Sequence, residues 1–251
     1  MRVCIFCPNR ASTKEDAWPL WLMRLLFGGA SGTIEGERSS HPVGPWRAVR
    51  PGLKVKVVCA RCNNGWMSEL ENRVKPIVET LCREESAALS AADQETLAVW
   101  SVKTAMVFEA FRLGRPPFFA QSERHLVRET LRPAPNTSVW AAKCVESPGA
   151  FCAASDLGGV VEDSTEGVRA YVTTMGFGPL ALQVVGTRLP TTIPPSVMSV
   201  TADLRPGPWD DATIRIWPTQ RADVTWPGSV GLRGAAGLEA FSERWSPPAG
   251  V

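Results

Sequence analysis

Two cysteine pairs of identical spacing, Cys4-Ile5-Phe6-Cys7 and Cys59-Ala60-Arg61-Cys62, constrain this chain more than any other feature. Two intervening residues let both sulfurs of a pair face one ion while backbone N–H groups turn toward them. One pair alone also suits a redox couple. Two pairs supply a full tetrahedral set, Cys4, Cys7, Cys59 and Cys62, for a structural Zn2+. The interval between them is longer than in a minimal zinc ribbon, so it holds an insertion. Cys82, Cys144 and Cys152 are left over and read as ordinary buried thiols. The start, MRVCIFCPNR, has no apolar run of a secretory signal. A cytoplasmic, reducing setting is the expectation, and there CxxC pairs serve metals more often than disulfides. No apolar run approaches the roughly 20 residues needed to cross a bilayer, so no membrane partner is expected.

Charge is spread unevenly. The formal net charge is +2, yet residues 1–80 hold 12 Lys/Arg against 7 Asp/Glu, while the rest hold 15 against 18. No acidic residue falls between Glu37 and Glu69, and that window contains Arg38, Arg47, Arg50, Lys54, Lys56 and Arg61. A basic field beside a cysteine knuckle suits a polyanion. Arg47, Arg50, Lys54, Lys56 and Arg61 are the candidate nucleic-acid contacts. A solvated basic face with no partner is the plainer alternative.

Periodicity predicts an α+β chain in three parts: a finger over 1–80, a helical segment over 81–135 and a β-rich, mainly antiparallel region over 136–251. Trp18, Trp21, Leu22 and Leu25 recur at helical spacing and predict a helix over Lys14 to Phe27, with Pro19 in its first turn and Gly28-Gly29 as its stop. Residues 28–52, rich in Gly, Ser, Pro and charge, read as a loop or loose hairpin. Leu53 to Val58 alternates and reads as a strand delivering Cys59, with Lys54 and Lys56 opposite Val55 and Val57. Asn63 and Asn64 read as a helix start. Trp66, Leu70, Val74 and Val78 give that helix an apolar stripe, and Pro76 should kink or end it. Ser90-x-x-Asp93 reads as a capping box opening a helix to about Leu113, with Leu97, Trp100, Thr104, Val107, Phe108 and Phe111 as its buried face. A shorter helix is expected over Ser122 to Leu131. Ser138–Val145, Ala150–Ala154, Val168–Met175, Leu180–Val185 and Thr213–Trp217 read as strands. The pairs Trp217-Pro218 and Trp226-Pro227 read as anchors of irregular segments onto a sheet. No nucleotide-loop or serine-hydrolase motif is present.

The order CxxC, then Lys14-Glu15-Asp16-Ala17-Trp18-Pro19-Leu20-Trp21-Leu22, then Cys59-Ala60-Arg61-Cys62-Asn63-Asn64-Gly65-Trp66-Met67-Ser68-Glu69-Leu70-Glu71 resembles a group of HNH endonuclease-like proteins. Their fold is a zinc-braced treble-clef or ββα-metal (His-Me) finger. The likeness covers roughly residues 1–80, and more loosely the helix with Trp100, Lys103, Thr104, Ala105 and Glu109. It implies a structural zinc on the four cysteines and one catalytic Mg2+ or Mn2+ that stabilises charge on the phosphoryl group. It places Glu15 at the carboxylate that binds this ion and Asn63 at the ligand position on the finger helix. Where the pattern reads Lys-Glu-His, this chain has Asp16. An imidazole with a pKa near ~6.5 suits a general base at neutral pH, whereas an Asp near ~3.9 is ionised but a poor proton acceptor. Asp16 is then a water-orienting group, a metal ligand or a helix cap. His41, in the loop between the knuckles, is a candidate surrogate base. The only other histidine, His125, is expected to face solvent from a helix.

The resemblance implies hydrolysis of nucleic-acid phosphodiesters, DNA foremost; it says little about the C-terminal region, which on this reading would select the substrate or a protein partner. A finger that has lost catalysis and kept binding is the second reading. A zinc-braced scaffold is the third.

Overall fold

The computed structural model describes residues 2–16, 18–28, 34–36, 46–48, 54–83, 85–110, 116–147, 149–160, 167–188 and 211–245. In chain order, the N-terminal part comprises β1 (Thr13–Asp16), α1 (Leu20–Phe27), β2 (Ile34–Gly36), β3 (Trp46–Ala48), β4 (Lys54–Val58), the helical turn α2 (Ala60–Cys62), a π-helical turn over Asn63–Met67, and α3 (Ser68–Cys82). Then come β5 (Ala87–Ser90), α4 (Ala91–Glu109) and α5 (Gln121–Thr130). The rest is β6 (Thr137–Val145), β7 (Ala150–Val160), β8 (Gly167–Phe177), β9 (Leu180–Arg188), β10 (Thr213–Trp217), β11 (Asp223–Trp226), β12 (Leu232–Arg233) and α6 (Gly234–Glu243).

β1 pairs antiparallel with β4, Thr13 opposite Val58 and Asp16 opposite Lys54. The helix predicted over Lys14 to Phe27 therefore starts late, because Lys14 to Asp16 belong to this strand. Pro19 is the cap before α1, with φ −55° and ψ 137°. It also disfavours helical backbone at Trp18. Gly28 closes α1 in the left-handed conformation, φ 56°, where only glycine is unstrained. Along β4, Lys54 and Lys56 are exposed and Val55 and Val57 buried, as the alternation predicts.

The helix after β4 begins before the two asparagines. Cys59 is its cap, and its sulfur takes the N-cap role by accepting the Cys62 N–H at 3.4 Å. The chain then kinks at Gly65, φ −99° and ψ −116°, before α3. Leu70, Val74 and Val78 are buried as expected, with Trp66 at the margin. Pro76 does not end α3, which continues to Cys82. Pro76 and Asn72 both lie on the exposed face, so the Asn72 carbonyl that loses its helical donor is left to water.

The large sheet runs in the order β10-β6-β9-β8-β7-β2-β3. Its five long C-terminal strands are antiparallel, and the predicted segments fall on them. Two additions are parallel: β2 on the β7 edge and β12 beside β6. The segment 28–52 thus supplies a hairpin, β2–β3, that extends the sheet. β5 pairs with β11 separately.

α4 lies between α3 and the sheet strands β9 and β10. Ser90 and Asp93 form the expected capping box, Asp93 N–H donating to Ser90 Oγ at 3.2 Å and Ser90 N–H to Asp93 Oδ2 at 3.1 Å. Every residue from Leu97 to Glu109 is buried, so the expected single apolar face is instead a full circumference. Phe111 lies outside the described residues. Trp18 packs edge-on against Phe108 of α4 and Phe177 of β8, both at 4.6 Å between ring centres. One apolar core runs from Cys4 and Phe6 through Trp100 to Tyr171 and Trp226. A second cluster, with Trp140, Val172, Leu238 and Phe241, seats α6 on the other side of the sheet. Among the described residues no helix is long and apolar enough to cross a membrane.

Candidate metal centre and the carboxylates beside it

The N-terminal knuckle is fixed by backbone bonds. Cys4 N–H donates to the Asn9 carbonyl at 2.8 Å, and Ile5 N–H to the Val57 carbonyl of β4 at 2.9 Å. This seats Cys4 and Cys7 beside Cys59 and Cys62, which close the end of β4 and open α2. All four sulfurs lie within 4.8 Å of one another and all four cysteines are buried. Cys7 Sγ is 3.5 Å from Cys59 Sγ and 3.6 Å from Cys62 Sγ. Four thiolates at ~2.3 Å from one tetrahedral ion stand ~3.8 Å apart, so the spacing fits zinc and is far too long for a disulfide. The four cysteines are able to hold a metal ion such as zinc. Burial pushes the Cys4 and Cys62 thiols up. Burial also acts to raise Cys59, but the Cys62 N–H and the neighbouring thiols outweigh it and bring Cys59 down to about 7.

Cys82, Cys144 and Cys152 stand apart from this cluster as free thiols. Burial raises all three, Cys82 to about 12.

Around the end of β1 the sequence-predicted residues come together. Asn63 Nδ2 reaches across from the π-helical turn, donating to Thr13 Oγ1 at 3.3 Å and to the Lys14 carbonyl at 3.4 Å. Asp16, half-buried, lies 3.3 Å from the exposed Lys54 ammonium directly opposite on β4. That contact is an ion pair without hydrogen-bond alignment at Asp16 Oδ1. Asp16 caps no helix, since the residue before α1 is Pro19. Glu15 points inward and is buried. Its Oε1 lies 3.4 Å from Lys103 Nζ, and the same ammonium lies 3.1 Å from Glu71 Oε1 of α3. Burial raises the Glu15 carboxyl, against the pull of Lys103. For Lys103, burial acts downward, but Glu71 and Glu15 together leave its pKa above the ordinary value.

These carboxylates do not fit a divalent ion as they stand. Glu15 already holds a buried cation and Asp16 holds a second lysine. His41 and Arg50 lie outside the described residues. His125 is half-buried at the surface, bonded at 2.9 Å to the exposed Gln121, which also donates to the Cys4 carbonyl.

No family model, curated protein or solved structure matches this chain.

The basic candidates divide between two sheets. Lys54 and Lys56 are exposed on β4, and Arg61 is exposed on α2 beside them in the chain. Arg47 sits on β3, opposite Glu35, at the edge of the large sheet. Sequence reasoning assigned no role to Glu71 and Lys103 as ion partners, or to the buried Arg124–Glu109 pair that ties α5 to α4. The signal for Lys103 was available: it is the one charge in the apolar run Leu97 to Phe108, and a buried lysine needs a partner.

Proposed function

We propose that the chain is a zinc-braced, HNH-like ββα module that docks on nucleic acid, duplex DNA foremost, without cutting it. The observation that supports this is the exposed face of β4, where Lys54 and Lys56 stand on a strand fixed by the cysteine cluster, with Arg61 on the next turn. Zinc in the Cys4, Cys7, Cys59, Cys62 site acts as a brace and takes no part in chemistry. Lysines on a fixed strand suit phosphates and carry position rather than sequence. The lysine end of the Lys54–Asp16 contact is open to solvent and the contact lacks hydrogen-bond alignment, so it is worth at most about 1 kcal/mol and a phosphate can draw Lys54 away from Asp16.

Binding of a labelled duplex to the zinc-loaded protein, followed by fluorescence anisotropy across salt concentrations, tests the reading. Three phosphate contacts give a slope of about −3 in log K against log salt. Charge reversal at Lys54 and Lys56 should abolish most of the affinity. An affinity indifferent to salt would count against nucleic acid.

Metal-dependent phosphodiester hydrolysis is the second reading. It is favoured by the Asn63 amide meeting β1 beside Glu15 and Asp16, which joins strand end and helix start in one edge. Cleavage with Mg2+ or Mn2+ that disappears in a Glu15→Gln variant shown to remain folded would establish it and displace the first reading.

A further inference from the structure

Among the described charged residues around the end of β1, Lys103 is the most buried. It leaves the middle of α4, where every neighbour from Leu97 to Glu109 is buried, and it is itself 2% exposed. Its ammonium touches one carboxylate from β1 and one from α3. We propose that Lys103 is the resident cation of the Glu15–Glu71 pair, standing where a divalent ion would otherwise sit, and that Glu15 is a fixed link between β1, α3 and α4 rather than a metal ligand.

The contrast with the neighbouring carboxylate carries the argument. Asp16 also holds a lysine, but that lysine is on an exposed strand face with a side chain 43% exposed, so the pair opens by a rotamer change. Lys103 has no such exit. A divalent ion on Glu15 would lie beside a positive charge unable to withdraw, in a low-dielectric interior where like charges repel strongly. Among the three charged groups, only Glu71 has appreciable exposure, 23% of its side chain. The approach from solvent thus meets the carboxylate that Lys103 holds most closely. The inference stands whether or not the protein binds nucleic acid.

Mn2+ binding to the full zinc-loaded chain, followed by electron paramagnetic resonance, is the test. Wild type and Glu15→Gln should bind Mn2+ equally, within about twofold, whereas Lys103→Met should gain a site about tenfold tighter or more. Glu15→Gln or Glu71→Gln in the Lys103→Met background should remove that gain. A wild-type Mn2+ site that Glu15→Gln weakens by about tenfold or more overturns the proposal. A folded Lys103→Met chain that gains no site overturns it as well. If Lys103→Met does not fold, the comparison of wild type with Glu15→Gln decides alone.

Discussion

Replacing Lys103 with Met leaves Glu15 and Glu71 facing a buried space without a cation. Breaking a buried charge pair in this way costs about 3–5 kcal/mol, against which Met returns some apolar packing. Chemical denaturation should show that loss, and Glu15→Gln in the same background should recover part of it, giving a coupling of opposite sign to the two single changes. The pH dependence has a defined direction. A lysine with a raised folded pKa stabilises fully below its unfolded value, about 10.4, and the contribution is lost as pH climbs through the folded value. Melting curves of wild type should therefore fall above about pH 10.4 by an increment that Lys103→Met lacks. Glu15 is a raised acid, so its titration favours the native state below about pH 4.3, and that advantage fades as pH rises through its folded value. Asp16→Asn should leave the fold intact and release Lys54, tightening duplex binding by up to about fivefold. A loss of binding would show that Asp16 itself meets the ligand.

At the scale of elements, α3 offers a direct check on a proline inside a helix. Pro76→Ala restores a helical donor to Asn72 and removes the ring clash, and both residues are exposed. The change should stabilise the protein by about 1–3 kcal/mol, read as a rise in Tm. The same helix shows what sequence periodicity conveys well. Leu70, Val74 and Val78 declared their stripe because i, i+4 spacing is a local property, and the five C-terminal strands declared themselves through alternation and turn residues. The start of α1 was misjudged because Lys14 to Asp16 become strand only by pairing with β4, about 40 residues away. The helix start was misplaced because the capping group is a cysteine sulfur, which helix-start preferences do not include. Lys103 was readable as an oddity in an apolar run, but its two partners come from separate elements and no spacing rule joins them.

Across the whole molecule, the cysteine cluster and the sheet share one core through Trp18, Trp100 and Phe177. Stripping the metal with a strong chelator, or Cys59→Ser, should therefore lower a single cooperative melt rather than release a separate early transition. Zinc uptake at neutral pH should expel protons, because burial holds the Cys4 and Cys62 thiols protonated until the ion binds. Calorimetry in buffers of different ionisation enthalpy measures that release. The position of β2 has a consequence for synthesis. Ile34 pairs with Ala150, so β2 waits for more than a hundred later residues before its β7 partner exists. The knuckles, by contrast, are complete once Cys62 has emerged from the ribosome. Metal loaded at that stage staples both ends of the intervening segment and shortens the search β2 must make for its neighbour. If the four cysteines take zinc, a nascent chain starved of it would present the unpaired side of β2 to other chains for longer, and aggregation during translation should rise as metal supply falls.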